Sequence, residues 1–269
     1  MSDIRIAVLG AGGRMGRALI RTIEATNGAV LAGASDRAGS EVIGQDAGVL
    51  AGARAANVKI VDDVAAAFAQ ADVAIDFTAP GALDAHLAAA RATKTALVIG
   101  TTGLQAPQES AIAAFAKDFP VIRSANYSVG VTLLRALVRQ AATVLGPDYD
   151  AEIVEMHHNA KVDAPSGTAL ALGRAVAAGR NVQLENVWVK ERDGHTGARE
   201  PGTIGFATLR GGDVAGDHTV YFAAAGERLE LGHRATSREV FATGAVRAAL
   251  WVAKQKPGLY DMDDVLGLT

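Results

Sequence analysis

The stretch Ile4–Gly16, whose sequence is IRIAVLGAGGRMG, places a glycine-rich loop between an aliphatic run that predicts a strand and a segment with helical spacing. In this context glycines let the backbone turn tightly and approach a pyrophosphate, while the helix N-terminus offers amide donors. The strict pattern G-x-G-x-x-G fails because Met15 stands at its third glycine. The glycines are spaced instead as G-x-x-G-x-x-G, at Gly10, Gly13 and Gly16. Such a loop is also typical of a plain strand–helix turn, so the dinucleotide site needs support from elsewhere in the sequence.

The rest of the first half alternates short apolar runs with alanine-rich helical stretches. Continuous apolar strands suit a parallel sheet that is covered on both faces. The predicted strands are Ile4–Leu9, Val30–Ser35, Val73–Phe77, Ala96–Ile99 and Val121–Arg123. The predicted helices are Arg14–Ala25, Asp63–Gln70, Ala82–Ala92 and Pro107–Lys117. The alternation predicts an α/β fold with a doubly wound, Rossmann-like parallel sheet over residues 1–127.

The pattern changes after Asn126 and predicts a second, α+β domain with a mixed or antiparallel sheet over residues 128–238. We expect helices over Val129–Leu145 and Ser166–Ala178, and a strand over Ala151–His158. Turn residues divide Thr203–Arg234, which therefore predicts antiparallel hairpins. A final helix is expected over residues 239–254, and the polar segment 191–200 is interpreted as a surface loop.

Composition excludes several classes of function. The net charge of -3 and the 5% aromatic content give no general attraction to nucleic acid or to an anionic membrane. Cysteine is absent, which excludes disulfides, thiolate metal sites and thiol nucleophiles. The N-terminus lacks a signal-peptide pattern, and we expect no apolar run near the roughly 18 residues that span a bilayer. These observations predict a cytoplasmic protein that binds neither nucleic acid nor a membrane.

The end of the second predicted strand supports the dinucleotide site. Asp36 follows the glycine loop by about the 20 residues at which an acidic residue bonds the ribose hydroxyls. Arg37 beside it, and Arg14 in the loop, are candidates for phosphate contacts. The alternative is an exposed charged turn. An acid next to a base suggests a reductase that accepts both NADH and NADPH.

Three further strand ends carry small polar residues, at Phe77–Pro80, Gly100–Gly103 and Ser124–Tyr127. Ligands of open α/β sheets bind at the carboxyl ends of the strands. We therefore expect these segments to line the nicotinamide and its ribose, although each alone is also compatible with a simple turn.

The densest polar segment is Glu155–Thr168, which follows a predicted strand and leads into a predicted helix. His157, His158 and Lys161 make it locally positive, and the helix start at Ser166–Thr168 offers hydroxyls and amides to a carboxylate. A metal site is disfavoured because neighbouring strand residues point to opposite faces and cysteine ligands are missing. The segment predicts a catalytic site for an anionic small molecule.

With these residues in place, the chain resembles the dihydrodipicolinate (4-hydroxy-tetrahydrodipicolinate) reductase family of the diaminopimelate route to lysine. The resemblance runs almost from end to end, and the segment Lys161–Thr168 is highly specific to that family. The motifs that carry it are Gly10–Gly16, Asp76–Thr78, Gly100–Gly103, Asn126–Gly130, His157–Thr168, Gly202–Ala207 and Arg210–Asp213.

The resemblance implies hydride transfer from NADH or NADPH to a cyclic imine dicarboxylate, giving tetrahydrodipicolinate. It implies His157 as the general acid and Lys161 as a second proton donor and charge stabiliser. The substrate-binding residues it implies are His158, Gly167 and Thr168. The cofactor-binding residues it implies are Gly10, Ala11, Gly12, Gly13, Arg14, Met15, Asp36, Arg37, Gly100, Thr101, Thr102, Ser124, Ala125, Asn126 and Tyr127. Many relatives carry Glu where this chain has Asp36, and we expect the shorter acid to weaken the ribose contact and to shift the cofactor preference.

The resemblance also implies a homotetramer joined through the sheet of the second domain, and a C-terminal segment 239–269 that packs on the first domain. The second domain would then serve both substrate binding and oligomerisation. Two alternatives are open: another NAD(P)-dependent reductase of a small amino or keto acid on the same scaffold, and a non-catalytic nucleotide sensor.

Overall fold

The computed structural model of the chain describes residues 2–268. The chain falls into two units, Met1–Val129 with Arg238–Thr269, and Gly130–Ser237. Its strands are β1 Ile4–Leu9, β2 Ala29–Ser35, β3 Ile60–Val61, β4 Val73–Asp76, β5 Ala96–Ile99, β6 Pro120–Arg123, β7 Asp150–His157, β8 Trp188–Val189, β9 Ile204–Arg210, β10 Gly216–Ala224, β11 Glu227–Ala235 and β12 Gly258–Tyr260. Its α-helices are α1 Arg14–Glu24, α2 Ala47–Leu50, α3 Val64–Phe68, α4 Leu83–Thr93, α5 Ala106–Phe115, α6 Val129–Leu145, α7 Gly167–Gly179, α8 Leu184–Val187, α9 Glu239–Val252 and α10 Met262–Leu266.

The first unit is built on a seven-stranded sheet in the order β12-β6-β5-β4-β1-β2-β3, in which every pairing is parallel. The predicted α/β sheet is confirmed. The chain moves outward from β1 to β3 and then returns to β4 on the other side of β1. The carboxyl ends of β1 and β4 therefore flank the point where the strand order reverses, which is the usual ligand site of such sheets.

Apolar side chains cover both faces of this sheet. One core contains buried residues of α1 and α9, such as Leu19, Ile20 and Val246. The other contains residues of α3, α4 and α5, such as Phe68 and Phe115. Burial on both faces explains why the strands are continuous apolar runs rather than alternating ones.

The second unit has a mixed five-stranded sheet in the order β11-β10-β7-β9-β8. The mixed sheet is as predicted, but the interpretation of Thr203–Arg234 as antiparallel hairpins is wrong in part. Only β10 and β11 form a hairpin, whereas β9 runs parallel to both β7 and β8. The connection from β9 to β10 crosses the end of β7, where the Gly211 amide donates to the His157 carbonyl at 2.9 Å.

Helix α6 contradicts the expectation that no segment is long and apolar enough to span a membrane. Residues 129–148 pass that test by length and composition, with a mean hydropathy of 1.3. Core helices of globular units pass the same test, and α6 buries Leu134, Val138 and Ala142 in the core of the second unit. Arg135 and Arg139 fall outside that buried set, so α6 is an amphipathic core helix.

Candidate active site

The glycine-rich loop lies between β1 and α1. Two of its glycines are required, one by its backbone conformation and one by close packing. Gly10 has φ +68°, a conformation that favours glycine. A Cβ on Gly16 would lie 2.2 Å from the Gly10 carbonyl oxygen. The close approach of α1 to the loop therefore depends on Gly16. The N-cap of α1 is Gly13, which has no side chain with which to cap the first-turn amides. This cradle fits a pyrophosphate.

Asp36 holds the loop after β2 against the glycine loop. Its Oδ2 accepts a 2.7 Å hydrogen bond from the Gly12 amide, and its Oδ1 accepts one of 2.8 Å from the Arg37 amide. Both oxygens thus bind backbone amides in this structure, and the ribose contact of Asp36 stays a prediction. Gly10, Gly12 and Gly13 line a cavity of about 590 Å³ together with Asp36, the exposed Arg37, Thr78 and His86.

A second cavity, of about 340 Å³, contains most of the other predicted cofactor residues. Its lining includes Met15, Gly100, Thr101, Thr102, Ala125, Asn126 and Tyr127, together with Phe77, Thr78 and Phe241. The Tyr127 ring itself is buried, and its hydroxyl donates to the Ile99 carbonyl at 2.9 Å. The side chain of Tyr127 therefore stabilises the end of β5.

Three predicted cofactor residues lie outside these two linings. Ala11 is buried in the core of the first unit, and Arg14 is exposed in the first turn of α1. The Ser124 hydroxyl donates to the Asn126 carbonyl at 2.7 Å and so shapes the segment that lines the second cavity.

Asp76, at the end of β4, connects the two cavities; it belongs to the motif Asp76–Thr78, but the sequence predicted no role for it. It is 1% exposed, and its Oδ1 accepts hydrogen bonds from the Thr78 hydroxyl at 2.6 Å and the Thr101 hydroxyl at 3.1 Å. His86 Nδ1 lies 2.7 Å from its Oδ2. Burial acts to raise the pKa of Asp76, but the hydrogen bonds from His86 and Thr78 outweigh it and lower the pKa. An ionised carboxylate thus fixes three residues that line the cavities, Thr78, Thr101 and His86. The sequence signal was a carboxylate at the end of an otherwise apolar strand.

In the second unit, His157 ends β7 and lies against a buried carboxylate. Its Nδ1 is 2.6 Å from Glu155 Oε2, and Arg210 forms an ion pair with the same carboxylate at 2.8 Å. The following loop carries Lys161, whose Nζ donates to both oxygens of Asp163 at 2.7 and 2.8 Å. The hydrogen bond from Lys161 lowers the pKa of Asp163.

Helix α7 begins where this loop ends, and its start is fixed by Ser166. The Ser166 hydroxyl accepts a hydrogen bond from the Ala169 amide at 3.1 Å, and the Ser166 amide donates to Glu155 Oε1 at 3.0 Å. Gly167 and Thr168 occupy the first turn of this 13-residue helix. The side chain of His157 and the start of α7 are therefore joined through one carboxylate.

His218, on β10, is a buried neighbour of His157 that the sequence analysis missed. The two rings are 5.0 Å apart, and His218 Nε2 lies 3.0 Å from the Ser166 hydroxyl. That hydroxyl accepts from Ala169 and can donate its own hydrogen to Nε2, an arrangement that suits a neutral His218. Burial, together with the charge of His157, lowers the pKa of His218 to about 4.

The shifted pKa of His218 predicts a pH dependence of stability. Between pH 6.5 and about 4 the unfolded chain binds a proton at His218 that the folded chain does not, so the free energy of unfolding falls as the pH falls through this window. The loss approaches about 3 kcal/mol. Urea unfolding of the wild type and of His218→Gln at several pH values tests this. The difference between their free energies of unfolding should shrink from pH 7 to pH 4. The exposed His195→Gln is the control, and a pH-independent difference would contradict the neutral buried ring.

Comparison with known families covers nearly the whole chain. Residues 4–127 match the family described as dihydrodipicolinate reductase, N-terminus, and residues 130–266 match its C-terminus. The 4-hydroxy-tetrahydrodipicolinate reductase of Methylocella silvestris is 54% identical over 268 residues, which cover 100% of this chain and 98% of that protein. The protein of the same name from Rhodopseudomonas palustris strain BisB18 is 55% identical over 269 residues, with 100% and 99% covered.

Solved structures share the fold. Dipicolinate-bound dihydrodipicolinate reductase from Paenisporosarcina sp. TG-14 superimposes with a TM-score of 0.74 at 22% identity, covering 96% of this chain and 97% of that one. An amine dehydrogenase from Mycobacterium smegmatis gives a TM-score of 0.61 at 17% identity, covering 97% and 96%. Structural likeness at these identities extends to several oxidoreductases, so it is the two family matches and the full-length relatives that decide the assignment: the chain belongs to the dihydrodipicolinate reductase family.

Proposed function

We propose that this protein is an NAD(P)H-dependent reductase that converts 4-hydroxy-tetrahydrodipicolinate to tetrahydrodipicolinate in lysine and diaminopimelate biosynthesis in the cytoplasm. The observation that carries the proposal is 54–55% identity over the full length to reductases of that name. The segment His157–Thr168, which contains the proposed catalytic residues, supports it.

The first unit has the features needed to hold the nucleotide. The amides at the start of α1 bind the pyrophosphate, and Asp36 and Arg37 bind the adenosine ribose and its 2′-substituent. The residues around the second cavity hold the nicotinamide half. When bound, the nucleotide supplies the hydride. Both NADH and NADPH are accepted, since Arg37 favours a 2′-phosphate without being needed for the ribose.

The second unit binds the dicarboxylate and supplies the proton. The first-turn groups of α7, at Gly167 and Thr168, bind one carboxylate together with His158. Lys161 exchanges its contact with the exposed Asp163 for the substrate, where it neutralises charge and is a second proton donor. His157 is the general acid. Because its Nδ1 faces Glu155, Nε2 is the nitrogen that transfers the proton.

The outward face of the second sheet supports the proposed homotetramer. Val154 and Leu209 face away from α7 on neighbouring strands, and Leu209 is 49% exposed. The exposed Ala207 lies opposite Val154 in the strand register and on the same face of β9 as Leu209, so the three form contiguous apolar surface of the kind that marks protein interfaces. Light scattering of the purified protein tests the assembly, and a stable monomer would contradict it.

The activity is tested by following NADPH oxidation with the freshly formed cyclic imine dicarboxylate, alongside small keto and semialdehyde acids. Turnover confined to the imine supports the proposal, whereas turnover of another acid favours a different reductase. Nucleotide binding without turnover of any substrate favours the sensor. Titration of both nucleotides with and without pyridine-2,6-dicarboxylate separates binding from catalysis.

Replacement of Arg37 by alanine is expected to weaken NADPH binding about tenfold and NADH binding far less, because a hydrogen bond to a charged group contributes about 1.5–3 kcal/mol. Fluorescence titration with each nucleotide gives the ratio of variant to wild-type Kd for NADPH and for NADH. Arg54→Ala removes another exposed arginine of the same unit and is the control. Equal losses for both nucleotides would exclude the phosphate contact.

A further inference from the structure

Glu155 is a buried carboxylate that the proposed chemistry does not itself use. It lies on β7 two residues before His157, on the same face of the strand, and is 1% exposed. Its Oε2 lies 2.6 Å from His157 Nδ1 and accepts from Arg210 Nη1 at 2.8 Å. Its Oε1 accepts from Arg210 Nη2 and from the Ser166 amide, both at 3.0 Å. His157 and the start of α7 are thus both hydrogen-bonded to the carboxylate of Glu155.

We infer that Glu155 is a positioning residue: one carboxylate selects the tautomer of His157 and, at the same time, holds the start of the carboxylate-binding helix α7. This inference rests on the proposed function, because it assumes that His157 gives up a proton and that α7 binds the substrate.

The chemistry of the partners explains the choice of tautomer. Arg210 and the Ser166 amide are donors only, and a carboxylate is an acceptor only. Glu155 is kept ionised, because hydrogen bonds from Arg210, His157 and Ser166 outweigh burial and lower its pKa. His157 must therefore present Nδ1–H to it, which leaves Nε2 for proton transfer. A Cβ at position 216 would lie 3.0 Å from Nε2, so Gly216 keeps that nitrogen accessible.

The charged and titratable groups around His157 come from β7, β9, β10, β11 and the loop that carries Lys161. From β10, His218 is neutral, and Arg210 on β9 is paired with Glu155 itself. Lys161 in the following loop is paired with Asp163. His233 on β11 is the direct cross-strand neighbour of His218, and burial lowers its pKa as well. Glu155 is the negative group in direct hydrogen-bond contact with the ring.

The same network extends to the loop that carries Lys161. Arg210 Nη2 donates to the Asp163 carbonyl at 2.6 Å while it binds Glu155. A change at Glu155 should therefore disturb the loop, the start of α7 and the orientation of His157 together. A glutamine at this position replaces one acceptor oxygen by an NH2 group, which is a donor. That NH2 group would face the donors that now bind Glu155, unless His157 changes its tautomer and presents an unprotonated Nδ1 to it.

The test compares Glu155→Gln with Glu152→Gln. Glu152 lies on the same strand but on its other face, and it too is paired with arginines, Arg192 and Arg199. For Glu155→Gln we expect kcat to fall about 10²-fold, the usual cost of misplacing a catalytic group by about 1 Å, and KM for the dicarboxylate to rise. The alkaline limb of the kcat profile should move at least about one pH unit to lower pH, since a neighbouring opposite charge is lost. Glu152→Gln should leave the pH profile of the wild type unchanged.

A measurement on the wild type keeps the inference testable if Glu155→Gln does not fold. The ring ¹⁵N shifts of His157 should show the Nδ1–H tautomer in the neutral form, and an Nε2–H tautomer would overturn the inference. A folded Glu155→Gln with wild-type kcat and pH profile would overturn it too. Absence of turnover in the wild type itself would count against the proposed function instead, and the ¹⁵N shifts would still decide the role of Glu155.

Discussion

Replacement of His157 by glutamine is expected to lower kcat by about 10²–10⁴, the usual contribution of a general acid. The glutamine amide can still donate to Glu155 and fill the space of the imidazole, but it has no proton to transfer at neutral pH. The loss should therefore appear in kcat, with NADPH affinity unchanged because the nucleotide residues lie in the other unit. Steady-state assays with the cyclic imine, together with NADPH titration, measure both quantities.

Two comparisons make the His157 result specific. His158→Gln should raise KM more than it lowers kcat, because His158 is proposed to bind substrate. The exposed His195→Gln should behave as the wild type. Near-normal turnover of a folded His157→Gln protein would remove His157 from the role of proton donor.

Substitution of Gly16 by alanine is expected to be the most damaging single change in the nucleotide unit. The added Cβ would lie 2.2 Å from the Gly10 carbonyl oxygen and 2.8 Å from Ala11 Cα, and backbone atoms cannot move aside as a flexible side chain can. Helix α1 must then separate from the loop, which should lower the free energy of unfolding by about 1–3 kcal/mol or more. NADPH binding should weaken at least about tenfold, since about 1.4 kcal/mol corresponds to that factor.

NADPH titration and thermal unfolding of the same preparation measure the two effects of Gly16→Ala. Gly81→Ala is the matched control, because a Cβ at that exposed position meets no atom within 4 Å. Wild-type affinity in Gly16→Ala would show that the spacing of α1 against the loop does not matter for the nucleotide.

The first half of the fold was predictable because each central strand is buried on both faces and therefore stands out as an apolar run. Strands β3 and β12 were not predicted, since two or three residues give no periodicity. The prediction that β9 forms an antiparallel hairpin was wrong for a different reason. Alternation along β9 shows which face is buried, but it does not show that the neighbouring strand is β7 rather than β10.

The site residues also divide into those that could be predicted from the sequence and those that could not. His157, Lys161 and the glycine loop were found because their chemistry is visible in a few consecutive residues. Asp76 stands in a motif and Glu155 in the dense polar segment, but neither was given a role, and His218 was missed, because the importance of all three lies in contacts with residues distant in the sequence. His218 meets Ser166 across 52 positions, and no local pattern records that contact.

The last stretch of the chain carries a consequence for how the protein is made. Strand β12 pairs with β6 at the edge of the first sheet, and α9 packs against α1 in its core. The other unit, by contrast, is a single uninterrupted piece, Gly130–Ser237. Domains usually fold in the order in which the ribosome delivers them. Here the unit that starts first is completed last: residues up to Val252 must be synthesised before α9 can cover the sheet, and until β12 is made β6 is an open edge with which another nascent chain can pair.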